Sequence, residues 1–420
     1  MSMKFRLIIM NFLQYFIWGA WLISFGSYVG NNLGFDGVQI GSFFATMGIA
    51  SLFMPGLMGI IADRWMPAEK LLGICHLIGA GLLVTASFQT EYVPLYTCML
   101  LSVMFYMPTL ALSNSVAYNA LEKEGLDIVK DFPPIRVWGT IGFIAAMWVV
   151  DFSGFKYSEM QLLLAAGAAL ILGIYAFTLP KCDINKNIGT SLVDSLGLRA
   201  FTLFKDKKMA IFFIFSMLLG AALQITNGFG DLFLSSFASV PEYAESFGVK
   251  HSVVLLSISQ ISEVAFILTI PFFLKRFGIK NVMLISMLAW VLRFGLFGAG
   301  NPGAGLWMLL LSNIVYGMAF DFFNISGSLY VEKNTGSGIR ASAQGVFMIM
   351  TNGIGAIVGS YAAGYVVNYF TNTQEVAGKM VEVTNWPNAW FTFATYMIVV
   401  AILFAIIFKY KHEPEIAPKK

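Results

Sequence analysis

The chain consists mainly of long apolar stretches separated by short polar ones. An apolar helix of about 20 residues crosses the hydrocarbon core of a bilayer, which is about 30 Å thick. Stretches of this length recur along the whole sequence and predict twelve transmembrane helices. The predicted spans are Leu7–Gly30, Ile40–Ala62, Leu71–Phe88, Val93–Ala120, Val137–Asp151, Met160–Leu179, Met209–Leu234, Val253–Leu274, Val282–Gly298, Leu306–Tyr330, Ala341–Phe370 and Ala389–Phe408.

Composition excludes a water-soluble globular protein. Hydrophobic residues make up 58% of the chain and charged residues 12%, which leaves too little polar surface to cover a soluble globule. Membrane-spanning strands would be about half as long as these stretches, and open sheet edges cannot face lipid. We therefore predict an all-α protein embedded in the lipid bilayer.

The basic residues of the loops predict the orientation. On one side of the membrane the only lysines or arginines are Lys156, Lys250 and Lys379, and nearly all the others fall on the other side. Because cytoplasmic loops carry the excess of basic residues, both termini are predicted to be cytoplasmic. The net charge of +3 is explained in the same way, so we predict no nucleic-acid partner. The apolar run after Arg6 is too long for a signal peptide and is interpreted as a retained first helix.

Internal duplication indicates two similar halves. Tyrosine, asparagine, glutamate and lysine occur at the same spacing in the fourth and tenth spans, half a chain length apart: Tyr106, Asn114, Glu122 and Lys123 match Tyr316, Asn324, Glu332 and Lys333. A polar, basic segment lies between the sixth and seventh spans. We predict two six-helix halves, residues 1–180 and 209–420, joined by a cytoplasmic linker, residues 181–208. Repeats of this kind place a binding site between the halves near the midplane of the membrane.

Cofactor chemistry is not indicated. Cys75, Cys98 and Cys182 form no CxxC pair and no ligand spacing with histidine, so we predict neither a disulfide nor a metal site. His76, inside the third span, is interpreted as a packed structural residue. The sequence contains no phosphate-binding loop motif. Transport by such a chain must therefore draw on an ion gradient, and we predict no bound cofactor.

Glu263 lies near the centre of an apolar stretch, where an ionised carboxylate costs several kcal/mol and a protonated one is tolerated. Residues three, four or seven apart share a helix face, and four spans then show polar or aromatic stripes. These stripes are Arg136, Thr140 and Phe143; Gln224, Asn227 and Asp231; Gln260 and Glu263; and Tyr316, Phe320 and Asn324. A single amide side chain in a membrane helix usually forms a hydrogen bond to a neighbouring helix. Four stripes that include an acid and an arginine instead predict a binding site.

The stripes suggest the chemistry of the ligand. Amides both donate and accept hydrogen bonds, which suits hydroxyl groups and the edges of heterocycles. Aromatic rings offer stacking faces for a planar base or for the apolar face of a sugar. From the residues alone, the ligand is a polar solute that carries a ring.

The loop after the second span contains Gly59, Asp63 and Arg64 followed by Lys70. It resembles the cytoplasmic loop motif of the major facilitator superfamily, and a weaker counterpart, residues 275–280, follows the eighth span. Ordinary charge asymmetry explains the basic residues but not Asp63. In that superfamily the motif latches the two halves, so we assign Asp63 and Arg64 to gating.

Longer segments give a more specific resemblance, to the bacterial family of nucleoside and proton symporters. In the first span the matching residues are Phe12, Leu13, Gln14, Trp18, Gly19, Trp21 and Leu22. In the fifth, seventh, eighth and tenth spans they form the runs Asp131–Phe143, Leu223–Asn227, Ser257–Glu263 and Tyr316–Gly327. The resemblance implies the major facilitator fold in a bacterial cytoplasmic (inner) membrane. It also implies proton-coupled nucleoside uptake by alternating access, and we expect a monomer.

Site residues follow from the resemblance position by position. The implied nucleoside pocket consists of Arg136, Thr140, Phe143, Gln224, Asn227, Gln260, Glu263, Tyr316 and Phe320. Glu263 and Asp321 are the implied carriers of the coupled proton. Asp231 departs from the family pattern, where a neutral amide is expected, and either alters substrate choice or lies without effect at the outer end. Arg136 either holds the ligand, compensates a carboxylate or forms a structural ion pair.

Two other functions stay open at this point. A proton-coupled sugar or oligosaccharide transporter of the same superfamily would use the same fold and a similar set of acid and arginine residues. An intramembrane enzyme or receptor is the alternative from another class, although paired catalytic carboxylates would have to face each other.

Overall fold

The computed structural model describes residues 2–184, 198–336, 339–376 and 379–410. Each of the twelve predicted spans coincides with helix. We label the helices that form the spans α1 to α12. Their bounds are α1 Met3–Gly19, α2 Gly37–Arg64, α3 Ala68–Ser87, α4 Tyr92–Lys123, α5 Ile128–Phe152, α6 Met160–Ala176, α7 Lys207–Ser236, α8 Ser252–Ile267, α9 Ile270–Ala299, α10 Leu306–Asn334, α11 Arg340–Met348 with Ala356–Tyr369, and α12 Trp386–Ile407.

Among the described residues, nine helices are long and apolar enough to cross a membrane. The two shorter apolar helices, α6 and α8, have 17 and 16 residues. The first span is divided, because α1 ends at Gly19 and a short helix, Phe25–Ser27, continues into a π-helical turn, Tyr28–Asn32. The protein is thus an all-α membrane protein with twelve transmembrane segments.

Two spans bend at places that the apolar pattern does not mark. The eighth span continues beyond the end of α8 into the first turns of α9, and Gly278 then separates it from the ninth span. The φ of Gly278 is +73°, a left-handed conformation that favours glycine. In α11 a π-helical turn, Ile349–Gly355, joins the two α-helical parts.

A β-hairpin between α11 and α12 was not predicted. Its strands, Thr371–Val376 and Lys379–Thr384, pair antiparallel with Thr371 opposite Thr384. Strands were excluded only for the lipid-exposed spans, and this polar segment lies outside them. It is rich in threonine and valine, which favour strands.

Packing within the first six helices recurs in the last six. In the first set α1 packs on α5, α2 on α4 and α3 on α6. In the second set α7 packs on α11, α8 on α10 and α9 on α12. This recurrence supports the predicted division into two six-helix halves, which we call the first half (α1–α6) and the second half (α7–α12). Residues 185–197 of the predicted linker lie outside the described residues.

The main contacts between the halves are α2 against α11, α5 against α8, and the short helix Phe25–Ser27 against α7. Glycine allows the backbones to approach closely there. A Cβ atom on Gly41 would lie 2.2 Å from the carbonyl oxygen of Ser360, and one on Gly26 would lie 2.2 Å from that of Gly228. The halves are therefore in backbone contact along this seam.

The two ends of the bundle differ. At the end that carries the chain termini, which we call the terminal end, Lys4 pairs with Asp131 at 2.7 Å within the first half. At the opposite, distal end the backbone N–H of Gly37 donates to Asn368 Oδ1 at 2.6 Å across the halves. Towards the terminal end of α2, Leu57 is 45% exposed and a Cβ atom on Gly59 would meet nothing within 4 Å. The halves are closed against each other at the distal end and separate towards the terminal end.

Candidate functional site

Glu263 lies on α8 at the interface between the halves. Its carboxylate interacts electrostatically with Arg136 on α5, in the first half. It also interacts with Asp321 on α10, within the second half. The structure therefore brings together the predicted acids and the predicted arginine, which three different helices supply.

Arg136 contacts an aromatic ring that the sequence analysis missed. Its guanidinium carbon lies 4.0 Å from the centroid of the Tyr15 ring on α1. This cation–π contact fixes the guanidinium beside Glu263. Because aromatic residues make up 15% of the chain, nothing in the sequence distinguished Tyr15 from the other rings.

The remaining predicted residues of α5 face the same part of the first half. Phe143 is 8% exposed, and its ring meets the ring of Trp18 edge-to-face at 6.3 Å. The buried Nε1 of Trp18 has no hydrogen-bond partner among the described residues. Thr140 lies one turn from Arg136 and is half-buried. Phe143 and Trp18 thus form an aromatic surface, and Trp18 Nε1 is available to donate a hydrogen bond to a ligand.

The predicted amides of the second half lie on α7 and α8. Asn227 Nδ2 donates to Gln224 Oε1 at 3.4 Å, so this pair is in contact. Gln260 is half-buried one turn before Glu263, and its side chain makes no hydrogen bond to the described part of the chain. Gln224 and Gln260 both retain hydrogen-bonding capacity for a ligand.

Tyr316 and Phe320 form a stacked pair on α10. Their ring centroids lie 5.8 Å apart with planes at 6°. Arg293 of α9 lies over the Tyr316 ring at 4.6 Å and donates from Nη1 to the carbonyl oxygen of Ser312 at 2.8 Å. Arg293 was not among the predicted site residues, although a fully buried arginine is itself a signal of function.

Asp321 is buried on α10 and is 5% exposed. Its Oδ2 has no hydrogen-bond partner among the described residues. An ionised carboxylate in such surroundings is costly, whereas a protonated one is tolerated. Asp321 and Glu263 both interact electrostatically with Tyr316, the ring that Arg293 also contacts.

Asp231 does not join these residues, although the helical pattern placed it on the stripe of Gln224 and Asn227. Its carboxylate accepts hydrogen bonds from Ser252 Oγ at 2.5 Å and from Ser27 Oγ, at the distal end of the seam between the halves. Of the two roles considered for Asp231, this position favours one away from the substrate.

His76 is hydrogen-bonded inside the first half. Its Nε2 lies 2.9 Å from Gln14 Oε1, and Gln14 Nε2 donates to Thr109 Oγ1 at 2.7 Å. The network links α1, α3 and α4 and is fully buried, as expected of a structural histidine.

The predicted gating residues lie at the terminal end of α2, away from the acids. Asp63 is exposed and Arg64 is half-buried in the last turn of the helix. Their assignment to gating stays a prediction, because this end is open in the structure.

Comparison with known proteins finds relatives that align over nearly the whole chain. The profile of the family described as "Nucleoside H+ symporter" matches residues 1–413. The xanthosine permease of Escherichia coli is 55% identical and aligns over 99% of this chain and 98% of its own length. The nucleoside permease NupG of the same organism is 52% identical over 98% and 97%.

The fold of a solved relative agrees as well. A crystal structure of the nucleoside transporter NupG superposes with a TM-score of 0.90, at 52% identity, and covers 98% of this chain and 100% of that one. The chain therefore belongs to the nucleoside H+ symporter family and is a secondary active membrane transporter, not an enzyme.

Proposed function

We propose that this protein takes up nucleosides together with protons across the bacterial inner membrane, with both termini in the cytoplasm. The observation that carries the proposal is that α8, which carries Glu263, packs across the interface between the halves against α5, which carries Arg136, so that the two charges interact. Family membership and the relatives named for xanthosine and nucleosides support nucleosides as the substrate class.

Both halves contribute side chains to the proposed site. The stacked rings of Tyr316 and Phe320 offer a face for the planar base. The amides of Gln224 and Gln260 suit the hydroxyl groups of the ribose and the polar edge of the base. Arg136 is placed to hold the ligand and to compensate the charge of Glu263.

Proton coupling follows from the cost of a buried charge. A proton taken from the outside neutralises Glu263 or Asp321, so the site can close around the nucleoside without trapping a bare carboxylate. Opening towards the cytoplasm then lets the proton leave. With cytoplasmic termini, the distal end faces outwards, and a structure closed at that end corresponds to the state that is open to the cytoplasm. No cofactor is needed, and a monomer suffices.

A competition assay tests the substrate class. Cells producing the protein are given radiolabelled uridine, adenosine, xanthosine or lactose, with and without a protonophore. We expect accumulation of nucleosides that the protonophore abolishes, and no effect of excess lactose or sucrose. Uptake of lactose without competition by nucleosides would instead favour the sugar transporter.

Arg293 is expected to set the affinity for nucleosides by fixing the Tyr316 ring. Arg293→Lys keeps the charge but loses the planar face, so KM for uptake should rise about fivefold to tenfold at unchanged Vmax. Arg276→Lys, at an exposed arginine on the other side of the bend at Gly278, is the control. A fall in Vmax with unchanged KM would show that Arg293 supports the fold and not the ring.

A further inference from the structure

A cluster of buried polar residues joins the halves at the distal end, outside the proposed nucleoside site. Asp151 and Lys156 come from the first half, and Asp231, His251 and Ser252 come from the second. Lys156 is 4% exposed, although the sequence predicted a loop lysine that serves only orientation. Several ionisable groups are therefore buried where the two halves touch.

Lys156 makes most of its contacts across the interface. Its Nζ donates to the carbonyl oxygens of Val249 at 3.1 Å and Lys250 at 2.8 Å, and to Ser252 Oγ at 3.0 Å. The two carbonyls end the short helix Phe247–Lys250, where oxygen atoms lack partners within the helix. All three hydrogen bonds of this ammonium group thus cross from the first half to the second.

Carboxylates of both halves surround the same ammonium group. Asp151 Oδ1 lies 3.7 Å from Lys156 Nζ, and Asp151 Oδ2 lies 2.6 Å from His251 Nδ1. Asp151 also accepts from the backbone N–H of Val253 at 3.3 Å, in the first turn of α8. Asp231 of the second half interacts electrostatically with Lys156 and shares Ser252 with it.

Of these partners, only Asp151 belongs to the same half as Lys156, and all the others are available to Lys156 only while the distal ends touch. A buried charge is stable when it is paired and hydrogen-bonded, and the loss of one partner costs several kcal/mol because the other charge stays unpaired. When the halves separate, water enters and solvates every group of the cluster. Removing Lys156 should therefore penalise the closed distal end much more than the open one.

We propose that Lys156 is a positioning residue of the transport cycle, which holds the distal ends of the two halves together between the carboxylates of Asp151 and Asp231. The proposal rests on alternating access in the proposed function but on none of the nucleoside contacts. Its substrate-independent prediction is that the loss of Lys156 shifts the carrier towards the state with an open distal end.

A single reporter cysteine measures that state. Ser360 is 1% exposed in the α2–α11 seam and its Oγ has no hydrogen-bond partner among the described residues, so Ser360→Cys places a thiol there at little cost. The three native cysteines are replaced by serine or alanine. A membrane-impermeant maleimide is then added to intact cells, and the rate of labelling reports how often the distal end opens.

We expect Lys156→Met to label at least about tenfold faster than the parent. Lys250→Met is the matched control, since its ammonium is exposed and, within the described part of the chain, forms its ion pair with Glu245 at the surface. Its labelling rate should equal that of the parent. Adding Asp231→Asn to Lys156→Met removes one unpaired carboxylate and should slow labelling again. If the two substitutions were unrelated structural defects, the double variant would instead label faster than either single variant.

Ser252→Ala keeps every charge and provides a milder variant in case Lys156→Met does not reach the membrane. It should raise the labelling rate about threefold, because Lys156 and Asp231 each lose one hydrogen bond. Parental labelling rates in Lys156→Met and Ser252→Ala would overturn the proposal. Since no nucleoside is added, this result is independent of whether the proposed substrate is correct.

Discussion

Replacing Glu263 with glutamine is expected to abolish proton-driven accumulation of nucleoside while exchange of nucleoside across the membrane continues. Glutamine resembles the protonated carboxyl group in shape and hydrogen bonding but cannot release a proton. The carrier can then close around its substrate without moving charge. The ratio of internal to external nucleoside should fall to about one, since no coupling free energy remains.

The measurement is uptake of radiolabelled nucleoside at steady state, paired with counterflow in preloaded vesicles. Glu245→Gln is the control, because the Glu245 side chain is 83% exposed in a distal loop. It should accumulate nucleoside normally. Accumulation by Glu263→Gln at the level of the parent would assign the coupled proton to another group, with Asp321 as the next candidate.

Replacing Gly41 with alanine should slow transport at least about tenfold. The new Cβ atom would lie 2.2 Å from the carbonyl oxygen of Ser360, a backbone atom that cannot rotate away. Overpacking of this kind costs about 1–3 kcal/mol. This cost destabilises the state in which the distal ends meet. The carrier then spends less time in that state and turns over more slowly.

Initial uptake rates, normalised to the amount of protein in the membrane, test this expectation. Gly81→Ala is the matched control, since a Cβ atom on Gly81 of α3 would meet nothing within 4 Å. Both substitutions favour helix to the same degree, so only the contact between the halves distinguishes them. Equal uptake rates in the two variants would show that the distal ends can still close when α2 and α11 lie farther apart.

Hydropathy predicted the number and approximate place of the spans because each helix must bury its own backbone hydrogen bonds in lipid. It did not predict where the spans bend. The break after Gly19 lies within a continuous apolar run, and the turn at Gly278 lies in a basic segment. The geometry of both depends on the neighbouring helices. The hairpin after α11 was missed because its polar residues resemble an ordinary loop.

Helical periodicity placed Arg136, Glu263 and Tyr316 on faces that the structure brings near one another. It failed for Asp231, since the period gives the direction of a side chain but not its height along the bundle. Lys156 and Arg293 were underestimated for a related reason. A lysine in a loop and an arginine in a span have no partner in sequence, and Val249, Lys250 and Tyr316 become their partners only through tertiary packing.

We propose that the acids at the interface carry the coupled proton. The most direct test is the external pH of a weakly buffered suspension of cells when nucleoside is added. Symport removes protons from the medium, so the parent should make it more alkaline. The variant with both Glu263→Gln and Asp321→Asn should exchange nucleoside without changing the external pH. Alkalinisation by this double variant equal to that of the parent would contradict the account.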